Sequence, residues 1–153
     1  MTRATSWTTT STLALLALAA GCAPAPVFPE DYAATYVEVR DCRGSGDHDL
    51  HNVRVLADPT AFAAYANRTE PFPVGAIVIK EEYDFGDTDC TGEIIAWTAM
   101  EKLEVGADPR NLDWYWQGLD ENRAVDEDNP RRCANCHEDC APPIGYDGTC
   151  TVP

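Results

Sequence analysis

Basic side chains are scarce in this chain: 11 Lys and Arg stand against 26 Asp and Glu, for a formal net charge of −15. A surface this acidic repels nucleic acid and anionic lipid, so no nucleic-acid partner is expected. A small neutral or cationic molecule meets no such barrier, and a basic partner protein would be steered in. The acidity also serves solubility. Long apolar runs are missing as well. Leu13 to Ala20 is too short to span a bilayer as a helix, and nothing later is longer. There are no internal repeats, which excludes a solenoid or propeller. Histidine is confined to His48, His51 and His137. The first two lie in or beside the loop-like Arg43 to Asp49 and read as solvated.

The N-terminus explains the apolar run. Arg3 is its single charge, Leu13 to Ala20 form a short hydrophobic region, and Ala19-Ala20-Gly21-Cys22 resembles a bacterial lipobox. Residues 1–21 therefore read as a lipoprotein signal peptide, with Cys22 as the lipidated residue and plain secretion as the alternative. Ala23 in the next position resembles lipoproteins sent to the outer membrane, facing the periplasm. Removing the signal takes away Arg3 alone, so ten basic residues face 26 acidic ones, a net charge of −16. Residues 22–30 form a Pro-rich linker (Ala23 to Pro29, APAPVFP), and 31–153 form one domain with a modest core.

Cysteine is plentiful. Cys133-Ala134-Asn135-Cys136-His137 has the spacing of a c-type haem attachment site. Each thiol adds to one haem vinyl group as a thioether, and His137 is placed to ligate the iron from one side. One covalently attached haem c is the expected cofactor. Two other uses of these residues stay open: zinc held by Cys133, Cys136, His137 and Cys140, or a disulfide between Cys133 and Cys136. An exported thiolate zinc site is disfavoured by its oxidising compartment. With Cys22 lipidated and two thiols on haem, Cys42, Cys90, Cys140 and Cys150 remain for two disulfides. Three connectivities are available. Cys42 with Cys90 and Cys140 with Cys150 is the preferred one, closing a short loop behind the haem motif and tying two strand ends.

Along the chain, a helical turn over Asp31 to Ala34 is followed by strand-like Tyr36 to Arg40 and Val53 to Ala57. Asp58-Pro59 opens a helix through Tyr65, with Asp58 as N-cap and Phe62 sharing a face with Tyr65. Ala76 to Phe85 is the clearest strand. Ile77, Ile79, Glu81 and Tyr83 fall on one of its faces and Val78, Lys80, Glu82 and Asp84 on the other. Ile94 to Val105 returns antiparallel, Trp114 to Trp116 begin an aromatic strand, and the acidic Asp120 to Asn129 reads as irregular. An inward lysine on an apolar strand must find an anion, lower its pKa or react, and Lys80 is such a residue.

Several segments together resemble the cytochrome P-460 family. They are Phe28-Pro29-x-x-Tyr32, Ala57-Asp58-Pro59 with Tyr65, Phe72-Pro73-Val74-Gly75 leading into Ile77-Val78-Ile79-Lys80-Glu81, Met100-x-Lys102, Asp113-Trp114, and the late Cys133-x-x-Cys136-His137. The resemblance implies an α+β fold, a predominantly antiparallel β-sheet with flanking short helices around one five-coordinate c-type haem, usually in a homodimer. It implies oxidation of hydroxylamine or a related small nitrogen species, with electrons passed to a periplasmic acceptor. In the hydroxylamine-oxidising members a lysine at the position of Lys80 is joined covalently to the haem; here the other reading of Lys80 is a charge pair with a carboxylate or haem propionate. Glu82 on the same face is a candidate base. Met100 is a candidate sixth ligand. The alternatives are a non-catalytic relative of the cytochrome c′-beta kind that binds nitric oxide or carries electrons, and a haem-free, disulfide-stabilised surface lipoprotein.

Overall fold

Alternation of apolar and polar residues over the central segments builds a single antiparallel sheet. The structure, a computed structural model, describes residues 23–150, so the expected signal peptide and Cys22 lie outside the described residues. The strands are β1 (Val37–Gly44), β2 (Asn52–Ala57), β3 (Ile77–Tyr83), β4 (Ile94–Lys102), β5 (Trp114–Asp120) and β6 (Val125–Asp128). Each pairs antiparallel with the next, so spatial order equals chain order. The helices are short: α1 (Tyr32–Thr35), α2 (Ala61–Asn67) and α3 (Arg131–His137), with a 3-10 turn at Pro109–Asn111.

A period of two fixes which side chains each face receives. Even-numbered β3 residues put Val78 into a core with Val55, Met100, Trp114 and Trp116, covered by Tyr65 of α2, by Phe72 and by Ala134 of α3. Odd-numbered Ile79 packs on the other face with Leu56, Trp97, Leu119 and the N-terminal Phe28 and Tyr32. The division of β3 read from the sequence therefore holds.

Four local expectations are corrected. Asp120 to Asn129 is not irregular: β6 pairs Gln117 with Asp128 and Gly118 with Glu127. An edge strand leaves alternate carboxylates in water, so acidity does not oppose pairing there. β1 runs to Gly44, further than expected, through register shifts between Glu38 and Arg43. β4 stops at Lys102, before Val105. The first turn of α2 is held as expected by the Asp58 carboxylate, which accepts from the amides of Thr60 and Ala61 at 2.7 Å. The helix itself spans Ala61–Asn67, and its buried face is Ala61, Ala64 and Tyr65, while Phe62 is 40% exposed. At 100° per residue, Ala61 and Tyr65 stack directly and Phe62 falls to one side.

Candidate functional site

Pro130 supplies the extended residue before α3, whose seven residues bring Cys133, Cys136 and His137 onto one side at spacings of three and four. Fully buried Ala134 anchors the helix to the sheet. Between α3 and the even face of the sheet lies a cavity of about 270 Å³, walled by Val78 and Lys80 of β3, Thr98 and Met100 of β4, Trp116 of β5, and the three α3 residues. His48 closes one side from the β1–β2 loop.

His137 is buried, with its ring 4.7 Å from that of Trp116. Its Nδ1 donates to the carbonyl of Gly148, which leaves the Nε2 lone pair free to bind a metal. Burial pushes the imidazole down to about 4, with the Lys80 charge acting in the same direction, so it is neutral in ordinary buffers. Cys133 is half-buried and Cys136 exposed, and both are free thiols; burial raises the Cys133 thiol. The other four described cysteines form Cys42–Cys90 and Cys140–Cys150, the preferred pairing. With Cys140 oxidised, the four-ligand zinc set loses a thiolate. His137, Cys140 and Cys150 do converge, but the two sulfurs are bonded to each other.

Lys80, half-buried, lines the cavity with its amine withdrawn from bulk water. Burial lowers it to about 8 against the opposing pull of Glu82, Cys133, Asp47 and Cys136. Its Nζ lies 2.6 Å from His48 Nε2. Glu82, buried beside it, accepts from His48 Nδ1 at 3.2 Å and from His51 Nδ1 at 2.8 Å. Burial alone would raise the Glu82 carboxyl; the two imidazoles outweigh it and hold the group below the usual range. Met100, 5% exposed, serves both the core and the cavity wall.

The two histidines are the functional neighbours that sequence reasoning missed. They are not solvated but folded over β3. The available signal was their i, i+3 spacing in the loop one hairpin away from Lys80 and Glu82.

The donor set tests well against a haem. A buried imidazole with Nε2 unengaged, two free thiols on the same helix side, and an apolar wall of Val78, Met100 and Trp116 fit a flat, largely apolar macrocycle. The Thr98 hydroxyl is buried in the same wall with no hydrogen-bond partner among the described residues. Fold and site together define a β-sheet haem protein. Residues 29–142 match the family Cytochrome P460, and the chain belongs to that family, whose members carry haem. Comparison with curated proteins returns no match.

Proposed function

We propose that this protein is a c-type haem oxidoreductase of the cytochrome P460 type that oxidises hydroxylamine or a related small nitrogen species. One haem would be held by thioethers to Cys133 and Cys136, with His137 as its axial ligand. Bound there, the haem supplies an iron able to accept electrons singly and an open coordination position. Removing two electrons from hydroxylamine releases two protons; the electrons leave to an external periplasmic acceptor, and the protons need a basic group nearby. Glu82 is that group, reaching the cavity through His48 because both its oxygens are engaged.

The observation that carries this reading is Lys80, whose amine shares the cavity with Cys133, Cys136 and His137 and is shifted toward its uncharged form. Joining that amine to a haem carbon in place of hydrogen forms one N–C bond and removes two protons and two electrons. It therefore needs a two-electron oxidant such as a peroxide. The second reading, nitric oxide binding or electron carriage, is supported by the apolar wall around the open position and by Met100 as a candidate sixth ligand. Cys22 would anchor the protein in the outer membrane, and a second copy would complete a homodimer.

The test is the absorption spectrum, oxidised and reduced, of protein matured in a host that attaches c-type haem. A red-shifted, broadened reduced Soret band means a Lys80 cross-link and calls for a hydroxylamine assay. An ordinary five-coordinate c-haem spectrum favours the binding protein, and a colourless product leaves the surface lipoprotein.

A further inference from the structure

Lys80, His48, Glu82 and His51 form one continuous chain of hydrogen bonds: Lys80 Nζ donates to His48 Nε2, His48 Nδ1 donates to one Glu82 carboxylate oxygen, and His51 Nδ1 donates to the other. An ionised carboxylate only accepts. Glu82 therefore fixes a proton on Nδ1 of both rings and turns the lone pair of His48 Nε2 toward the lysine. A carboxylate behind an imidazole behind a nucleophile is a general way of withdrawing a proton from that nucleophile.

The loop that carries the histidines is built to hold this geometry. Ser45 donates to the carbonyl of His51 at 2.9 Å, and His51 to that of His48 at 2.8 Å. Asp49 and Leu50 adopt left-handed backbone conformations, with φ of 49° and 64°. For a leucine that conformation is costly and persists only where its surroundings require it. Across the sheet, β2 pairs Val53 with Glu82, which sets the carboxylate just below the two rings. Glu82 itself, Cys133 and Cys136 of α3 and Asp47 of the same loop act on the amine by charge, and each of them favours its charged form against the burial that lowers it. The His137 Nδ1 proton points away, to Gly148.

We propose that Glu82 and His48 are a positioning pair: Glu82 fixes the tautomer of His48, whose Nε2 takes the proton of the Lys80 amine as that amine bonds to the group in the cavity. The proton passes from Nζ to His48 Nε2; the ring becomes an imidazolium whose Nδ1–H faces the Glu82 carboxylate, and no electron moves. His51, the more exposed ring, occupies the second oxygen and prevents Glu82 from turning to pair with the lysine directly. The hydrogen-bonded chain stands on its own geometry; only what the amine meets in the cavity rests on the haem reading.

The test uses the full chain matured with c-type haem, as the parent and as His48→Gln and Glu82→Gln. Peptide mass reports whether the Lys80 segment is joined to haem, and how fast a free Lys80 is acetylated by an N-hydroxysuccinimide ester as pH varies. Lys102, the chain's other lysine, is the internal reference. Where the parent is joined, both variants are expected to lose joining about a hundred-fold at pH 7, where His48 is the proton acceptor, and to regain it at pH 9, where hydroxide serves instead. Equal joining at pH 7 in all three proteins overturns the proposal. Where the parent is not joined, the covalent reading of Lys80 fails by itself. The rate of Lys80 acetylation on the plateau above its midpoint is then expected to fall about a hundred-fold in both variants, with Lys102 unmoved. Coincident Lys80 profiles overturn the pair.

Discussion

Two buried carboxylates one residue apart, Glu81 and Glu82, sit on opposite faces of the same strand and meet opposite company. Glu81 accepts from the hydroxyls of Tyr32 and Tyr83 at 2.8 Å and from Arg54, and Trp97 donates in turn to the Tyr32 oxygen at 2.9 Å. Those donors keep their protons through the ordinary pH range. Burial, with Glu81 beside it, pushes Tyr32 up to about 12 even though the Trp97 hydrogen bond pulls the other way. Tyr83 is raised further by the same two causes. Glu82 instead accepts from two imidazoles, and behind one of them stands an amine lowered to about 8 at the edge of a cavity. Burial of a charge does not separate structure from chemistry. The titration range of its partners does, together with whether the network ends in protein or in open space.

Of the two carboxylates, Glu81 carries the larger share of stability. Glu81→Ala leaves the Arg54 guanidinium and two buried hydroxyls without their acceptor, and is expected to lower stability by about 3 kcal/mol in urea unfolding while leaving the visible spectrum unchanged. If Glu82→Gln destabilises as much, the two carboxylates are equally structural. Opening the disulfides should be unequal in a way that tracks chain separation. Cys42–Cys90 spans 48 residues and its removal by paired Ser substitutions is expected to cost about 4 kcal/mol; Cys140–Cys150 spans 10 and should cost about 3 kcal/mol, with the additional signature of a changed haem spectrum, since its loop carries the Gly148 carbonyl that holds His137.

The pH dependence of stability should carry opposite signs for the two faces. Tyr32 titrates at about 12 in the folded chain against 10.0 otherwise, so the unfolded state loses its proton first and stability falls as pH rises from 10 toward 12. Lys80, where it remains free, titrates at about 8 against 10.5, so the unfolded state holds its proton longer and stability rises between pH 8 and 10.5. Tyr32→Phe should flatten the first slope and Lys80→Met the second, both read as urea midpoints across pH. The smallest effect is expected at Phe62→Ala, within about 0.5 kcal/mol, because that ring is 40% exposed; Tyr65→Ala on the same helix should cost about 3 kcal/mol or more.

Much of this contrast was legible beforehand. The alternation of β3 separated Glu81 from Glu82, and placed Lys80 beside Val78, because a period of two admits no compromise. The Cys-x-x-Cys-His run carries its own geometry, and cysteine arithmetic left few pairings. The histidine lid was not legible. It depends on Asp49 and Leu50 taking left-handed conformations, which neither residue signals, and on a neighbouring strand that is distant in sequence. β6 was hidden for a related reason: its acidic residues say where water is, not whether the backbone is paired. Phe62 misled because a spacing of three is only nearly one helical turn.

Strand order has a kinetic side. Because every strand pairs with the one just before it, each pairing is local in the chain, the longest connection being the one that carries α2 between β2 and β3, and this favours rapid folding. The sheet can zip from β1 onward without waiting for its C-terminal end. The lid arrives with the first hairpin and Lys80 with the second, whereas α3 comes after β6. The two thiols thus close over a wall that is already formed, and until they do the assembled face stays open.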